Sequence, residues 1–259
     1  LGVNHSYEVE MGDIDNDGNE DLYLTGGKNQ SGIFLNFNST GNNFKSSRFQ
    51  IKDISALPEE TAGIFFDADG DGDKDFYLGT GGRAYPTTSS ALQDKVFINN
   101  NNGQFTPSPF DLPFGNNPVT SVVIDLDVDH DGDLDLFIGE RFHPFRYGSG
   151  GGGHVFLNNG NGKFEDVTDQ YCKTLKSAGM ITDGVKIDLN KDGWEDLVLS
   201  GDWTTIITLI NNNGKSFTIG SLGGDEHYTG WWNTIKTADL NQDGRPDFIV
   251  GNHGRNTFF

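Results

Sequence analysis

Apolar residues along this chain come in short runs, each broken within a few positions by Gly, Asn or Asp. Runs of that length, rich in Phe, Tyr, Val and Ile and bounded by turn residues, predict β-strands. The runs recur in a fixed order. Strand A covers residues 7–11, 63–66, 121–124, 184–187 and 234–238, and a polar, Asp-rich stretch follows each copy. Strand B comes next, at residues 22–24, 76–78, 136–138, 197–199 and 248–250. After a connector of varied length comes strand C, at residues 33–35, 96–98, 155–157, 207–210 and 257–259. Turns of Asn and Gly at residues 99–103, 158–162 and 211–214 then lead into strand D, which opens at Phe44, Phe105, Phe164 and Phe217. Such turns suit residues with positive φ and mark hairpins.

Four short strands per unit, repeated at roughly 50–60 residues, predict an array of like supersecondary units. The expected fold is all-β: a β-propeller of four-stranded antiparallel blades, treated as one region over residues 1–259. The blades fall near residues 7–50, 61–111, 119–170 and 181–220, with an incomplete fifth at 232–259. A closed ring needs its last blade completed, and residues 1–6 are too few to supply the missing strands, so the expectation is a larger propeller in the parent protein.

The polar stretches between strands A and B share one pattern, D-x-[DN]-x-D-G-x-x-D. The copies are Asp13, Asp15, Asp17, Gly18, Asp21; Asp67, Asp69, Asp71, Gly72, Asp75; and Asp127, Asp129, Asp131, Gly132, Asp135. The remaining two are Asp188, Asn190, Asp192, Gly193, Asp196 and Asp239, Asn241, Asp243, Gly244, Asp247. Side-chain oxygens at positions 1, 3 and 5 of a tight loop converge on one point, the Gly at position 6 permits the sharp turn, and hard oxygen ligands select Ca²⁺. Position 7 is Asn19, Asp73, Asp133, Trp194 or Arg245, an indifference that fits a backbone-carbonyl ligand. An EF-hand is excluded: its closing Glu would stand at position 12, which here is Leu24, Leu78, Ile138, Leu199 or Val250. The closing acid is expected at position 9 instead. Five Ca²⁺ sites follow, weaker in the last two copies, where Asn replaces one carboxylate.

These loops also account for the charge. The formal net charge is −20, yet nearly half of the 38 acidic residues sit at loop positions and the rest nearly balance the 18 basic ones. Nothing supplies the basic stripe that nucleic acid requires. The single cysteine, Cys172, excludes an intrachain disulfide and reads as a small buried apolar residue. No apolar run approaches the ~20 residues of a membrane-spanning helix. Calcium modules of this kind bind at roughly 10⁻⁴–10⁻³ M, which points to an extracellular, cell-surface or periplasmic location.

The loops and their flanking strands resemble the FG-GAP/VCBS repeats of integrin α-subunits and bacterial surface proteins. Four segments are similar to bacterial VCBS proteins that carry an ASPIC/UnbV domain, related to cartilage acidic protein. They are FFDADGDGDKDFYLGTGG (65–82), LFIGERFHPFRYG (136–148), HVFLNNGNGKFEDVT (154–168) and GWWNTIKTADLNQDGRPDFIVGN (230–252). The resemblance implies the propeller fold, calcium and export, and no single activity.

In an up-and-down blade the connectors opposite the Asp-rich loops are the variable ones, and binding residues concentrate on such loops. Those connectors carry Arg83, Tyr85, Arg141, His143, Arg146, Trp231, Trp232 and Arg255, with Glu140, Tyr147, His154, Trp203, Asp225, His227, Tyr228 and His253 beside them. Aromatics with Arg and His around one mouth suit a glycan or a protein ligand. The leading expectation is a calcium-stabilised module for extracellular recognition or adhesion. One alternative is a carbohydrate-active enzyme such as a polysaccharide lyase, using His143, Tyr147, Arg141 and Arg146. The other is a purely structural segment of a large exported protein.

Overall fold

The computed structural model describes residues 9–27, 32–38, 43–48, 59–82, 85–86, 88–100, 103–143, 146, 148–222 and 229–253. Strands β1 (Val9–Gly12), β2 (Asp21–Leu24), β3 (Ile33–Asn38) and β4 (Asn43–Arg48) form one sheet in chain order. A second holds β5 (Glu59–Phe66), β6 (Asp75–Gly81), β7 (Lys95–Asn99) and β8 (Phe105–Pro107), again in chain order. The third is built from β9 (Thr120–Leu126), β10 (Asp135–Glu140), β11 (Gly152–Asn158) and β12 (Phe164–Asp166). The last contains β13 (Met180–Ile187), β14 (Asp196–Thr204), β15 (Ile207–Asn211), β16 (Phe217–Ser221), β17 (Gly230–Ala238) and β18 (Asp247–Asn252). Neighbouring strands such as β1–β2, β5–β6, β7–β8 and β13–β14 pair antiparallel, so the all-β reading and its four-stranded meanders stand.

Register explains why the Asp-rich stretches are loops of constant length. The aspartate at position 9 opens each second strand and faces the residue just before position 1. The pairs are Gly12↔Asp21, Phe66↔Asp75, Ile187↔Asp196 and Ala238↔Asp247. Each stretch is thus a hairpin connection with its ends already in register. The second strand is also the most enclosed: β6 and β10 are buried at every residue, and β14 from Asp196 to Asp202. Neighbours on both edges and cover on both faces produce a continuous apolar run instead of alternation. Burial falls off outward, and β8 and β16 are mostly exposed.

The chain divides into two compact units, Leu1–Val123 with Asn158–Glu165, and Ile124–Leu157 with Asp166–Phe259. In the first, Ile14, Tyr23, Phe34, Phe65, Phe76, Leu78 and Phe97 form a buried cluster with Phe105 packed against it. Tyr23 and Phe76 lie 4.5 Å apart, and Phe34 stacks on Phe105 at 5.1 Å. Such aromatic pairs contribute roughly 0.5–1.5 kcal/mol each beyond their burial. In the second unit Val198, Ile206 and Ile235 are ringed by Val185, Ile187, Leu189, Leu222, Trp232, Phe248 and Val250. Cys172 is free and buried. Among the described residues no helix is long and apolar enough to cross a membrane.

Two features depart from the sequence expectation. First, the fourth and fifth groups of strands are not separate sheets. Strand β14 runs on to Thr204, and Asp202↔Trp231 and Thr204↔Gly230 join it to β17, which starts at Gly230 and not at residue 234. Second, helix α1 (Thr168–Cys172) and 3₁₀ turns at Ser90–Leu92 and Lys173–Ser177 punctuate the connectors. They are too short to register as a helical period. The strand expected at residues 257–259 lies outside the described residues.

Two buried carboxylates brace connectors in the first unit. Glu60 accepts from Tyr23 Oη at 2.8 Å and from the backbone N–H groups of Gly26 and Gly32. Asp94 accepts from Tyr77 Oη at 2.7 Å, from Thr80 through both N–H and hydroxyl, and from the Thr120 hydroxyl. Burial pushes the Asp94 carboxyl up to about 6 against the pull of these donors. Between about pH 4 and pH 6 the folded chain therefore keeps a proton that the unfolded chain has released. The stability owed to this group is complete below that window and is lost as pH rises through it. Asp94→Asn removes the titration. Denaturant unfolding should show the parent-to-variant difference shifting in the variant's favour from about pH 4 to about pH 6.5; a difference independent of pH would refute the assignment.

Candidate metal centres and an exposed aromatic patch

The loops are held open by their own backbone. Position 4 is left-handed in every copy, at Asn16 (φ 57°), Gly70 (79°), His130 (59°), Lys191 (63°) and Gln242 (61°). The glycines at position 6 are left-handed too, Gly18 at 84° and Gly132 at 97° among them. This double reversal turns amide N–H groups onto the carboxylates. The position 1 aspartate accepts from the position 6 N–H: Gly18 to Asp13 at 2.8 Å, Gly72 to Asp67 at 3.0 Å, Gly132 to Asp127 at 3.2 Å. The last two loops repeat the bond, Gly193 to Asp188 and Gly244 to Asp239, both at 2.9 Å. The position 5 aspartate accepts from the position 7 N–H, as in Asp73 to Asp71 at 3.0 Å and Arg245 to Asp243 at 2.8 Å.

Three loops gather acidic oxygens closely enough to hold a cation. The groups are Asp13, Asp15 and Asp17; Asp67, Asp69 and Asp71; and Asp127, Asp129 and Asp135, each with one oxygen per residue lying within 4.8 Å of the others. Asp15 Oδ1, Asp69 Oδ1 and Asp127 Oδ1 are buried without a hydrogen-bond donor. A buried carboxylate oxygen in that condition fits a metal ligand, and oxygen-only donors fit Ca²⁺. The electrostatics agree. Burial, then the neighbouring carboxylates, raise Asp69 and Asp129 above the usual carboxylate range, and burial pushes Asp75 up to about 7. A divalent cation supplied at this point would relieve that crowding.

Loops four and five differ. Asn190 Nδ2 donates to Asp192 Oδ2 at 2.9 Å, and Asn241 Nδ2 donates to Asp243 Oδ2 at 3.2 Å. The amide thus satisfies the position 5 carboxylate, which in the first two loops belongs to the acidic group. Among the described residues the acidic groups therefore come together in three loops, where five sites were expected.

The position 9 aspartates have a role that the spacing alone did not reveal. Asp21, Asp75 and Asp196 commit both oxygens to backbone N–H groups. Asp21 takes Ile14 at 3.2 Å and Phe37 at 2.8 Å; Asp75 takes Ala68 at 2.7 Å and Asn99 at 2.8 Å; Asp196 takes Leu189 at 2.9 Å and Asn211 at 2.7 Å. Asp135 and Asp247 receive the same position 2 bond, from Val128 and Leu240. Asp21, Asp75 and Asp196 thereby pin the loop to the third strand, and among the described residues Asp135 is the position 9 acid that joins an acidic group. Position 7 is equally specific in places: Asp73 is buried, Asn19 Nδ2 donates to Asp17, and Trp194 stacks flat on His130 at 3.8 Å.

Arg83, Tyr147, Asp225, His227, Tyr228 and Arg255 lie outside the described residues. Tyr85 belongs to the first compact unit, and Arg141, His143, Arg146, Trp231 and Trp232 to the second. Arg141 is not a free cation. It grips the buried Asp202 with two bonds, Nε to Oδ2 at 2.8 Å and Nη2 to Oδ1 at 3.2 Å. Trp232 packs into the core and donates its indole N–H to Thr204 O at 3.1 Å. His143 and Arg146 face each other in a short exposed turn. Glu140 is buried and bonded to His154 Nε2 at 2.7 Å.

What the structure does assemble is Trp203, Trp231 and His253. Trp203 is 56% exposed and sits at φ 54°. Its ring lies 5.6 Å from that of Trp231, which lies 5.0 Å from the His253 ring. The Asp202↔Trp231 bridge and the Arg141–Asp202 ion pair hold this patch from below. Trp203 and His253 are visible in the sequence only as connector residues. Their meeting depends on the β14–β17 pairing, which strand-length patterns did not show.

The FG-GAP-like repeat model matches residues 67–138, 127–185 and 188–250. No curated protein sequence matches the chain. Among solved structures, a lectin of Agrocybe aegerita, described in recognition of non-reducing terminal N-acetylglucosamine, aligns with TM-score 0.58 and 21% identity over 94% of this chain. The chain spans 60% of that lectin's length. A Bifidobacterium bifidum protein solved as a candidate exo-β-1,3-galactanase aligns with TM-score 0.51 and 12% identity, covering 93% of this chain and 80% of its own. The V. cholerae biofilm matrix protein Bap1 gives TM-score 0.48 and 15% identity over 95% of this chain and 34% of its own. At these identities the likeness to the first two is one of fold. The repeat model covers well over half of the sequence, and its matches fall on the second to fifth Asp-rich loops with their flanking strands; the chain therefore belongs to the FG-GAP-like repeat family.

Proposed function

We propose that this chain is a calcium-stabilised recognition module that binds a glycan at the Trp203–Trp231–His253 patch. The observation that carries the reading is Trp203 itself. A large apolar ring more than half exposed is unusual, and a left-handed backbone costs an L-residue roughly 1–2 kcal/mol. Strain and exposure together suit an aromatic platform for a sugar ring, with the His253 and Trp231 rings as its wall. The backbone pairing and ion pair beneath would pre-organise it, lowering the entropy cost of binding.

In this reading the four-stranded sheets are blades of one propeller near residues 7–50, 61–111, 119–170, 181–220 and 232–259. The three all-Asp loops take Ca²⁺ first. Loops four and five fill at higher calcium, after Asn190 and Asn241 turn over to present oxygen. Millimolar-range loops of this type are consistent with an extracellular, cell-surface or periplasmic setting. The resemblance of the segments at 65–82, 136–148, 154–168 and 230–252 to bacterial VCBS proteins that carry ASPIC/UnbV domains supports a kinship with that subgroup. The lyase alternative loses Arg141 as a charge-neutralising group, since Asp202 already occupies it.

Calcium at 100 times its dissociation constant stabilises the native state by about 2.7 kcal/mol per site. Excess chelator should therefore lower the melting temperature strongly, and calorimetric titration should resolve a tighter set of sites from a weaker one. An unchanged melt in chelator would remove calcium from the account. Trp203→Ala should weaken glycan binding by about tenfold or more while leaving calcium content and the melt unaltered. A glycan array that reads the same for parent and variant would show that the patch is not the site. Arg141→Ala, by contrast, strands a buried carboxylate and should cost ~2 kcal/mol or more of stability, seen as a lower midpoint in denaturant.

A further inference from the structure

We infer that neighbouring calcium loops within each compact unit are coupled through a buried asparagine, Asn99 in the first unit and Asn211 in the second, so that filling one loop tightens the next. The inference rests on the calcium reading above. Each asparagine stands at the end of a third strand, and each reaches back to the loop of the preceding repeat. Asn99 donates its backbone N–H to Asp75 Oδ1 at 2.8 Å and its side-chain amide to Ile14 O, also at 2.8 Å. Ile14 in turn donates its N–H to Asp21 Oδ2. An unbroken run of bonds thus joins Asp21 of the first loop, through Ile14 and Asn99, to Asp75 of the second. It continues through Ala68, whose N–H binds Asp75 at 2.7 Å and whose carbonyl accepts from Asn158 Nδ2 at 2.7 Å.

The second unit repeats the device. Asn211 donates its N–H to Asp196 Oδ1 at 2.7 Å and its amide to Val128 O at 2.9 Å, and Val128 donates to Asp135 Oδ2 at 2.8 Å. The acceptor is always the carbonyl at position 2, between the two aspartates at positions 1 and 3. Whatever orders those aspartates orders that carbonyl. The links are stiff because nothing in them is free to move: Asn99 and Asn211 are 2% and 1% exposed, and each also accepts from its own turn, Gly103 N–H or Gly214 N–H.

Loops three and four touch in a second way. His130 at position 4 of loop three stacks on Trp194 at position 7 of loop four. The turn that carries Asn211 is wedged between them. A Cβ on Gly214, which has φ 70°, would meet the Trp194 ring at 2.8 Å and Asp129 Cα at 2.9 Å. An ordered loop three therefore supports Trp194 and Asn211, both parts of the loop four framework. No comparable role is legible in Asn99, Asn158 or Asn211 as turn residues alone.

Trp194 supplies the readout, as its fluorescence or as sensitised terbium luminescence, with Trp194→Phe identifying its share of the signal. Asp129→Ala removes an acidic oxygen from loop three without touching loop four. In the otherwise unchanged chain it should weaken calcium binding reported by Trp194 by about tenfold, within the range of typical coupling between sites. In an Asn211→Ala background the same substitution should change that affinity by less than about twofold, because the link is already cut. If Asn211→Ala fails to fold, Asn99→Ala with Asp15→Ala tests the first unit by counting sites and their affinities in a calorimetric titration. Equal loop four affinity with and without Asp129→Ala would overturn the coupling while leaving calcium binding intact. No response of Trp194 to calcium in the parent would overturn the calcium reading and this inference with it.

Discussion

The architecture depends on backbone N–H groups donated to loop carboxylates. Several aspartates confined to one tight turn repel one another, and burial removes the water that would screen them. The turn offsets part of this with its own amides: left-handed residues at positions 4 and 6 aim N–H groups at positions 1 and 5. What the amides leave undone is visible in the raised Asp69, Asp75 and Asp129 carboxyls and in the bare inward oxygens of Asp15, Asp69 and Asp127. A bound cation would complete a compensation that the backbone only begins.

The same interaction shapes the sheets. By accepting from position 2 and from the third strand, the position 9 aspartate ties the hairpin to its neighbour at the start of the most buried strand. That strand can be apolar throughout because its polar anchor stands at one end. At the other end different anchors serve, Glu60 below Tyr23 and Asp94 below Tyr77. Each sheet of the first unit is therefore braced by carboxylates at both ends of its central strand, with aromatic packing between.

Packing and surface exposure draw on different connector residues. Of the connector side chains, Arg141 and Trp232 are spent on holding the fold, and Trp203 is presented outward. The division has a physical basis. A planar guanidinium meets a buried carboxylate best in two-point contact, and an indole with a carbonyl in reach satisfies its one donor by packing. Trp203, left-handed at φ 54°, stays more than half exposed within the same strand that buries Asp202.

Strands, loops and the identity of the acidic positions were legible in the sequence because each depends on residues a few places apart. Loop chemistry follows from Asp at alternate positions with Gly at position 6, and the strands follow from the apolar runs that flank them. The long β14, the joined fourth and fifth groups and the short helix α1 were not legible, because pairing and packing decide them after the local pattern runs out. That the last two loops carry one carboxylate fewer was legible in the sequence; that Asn190 and Asn241 turn their amides onto Asp192 and Asp243 was not. The tertiary structure alone decided which distant residues meet: Arg141 with Asp202, Trp231 with Trp203 and His253, Asn99 with Ile14, Asn211 with Val128. Sequence spacing sets what a turn can do within itself, whereas contact across tens of residues exists only once the sheets have packed.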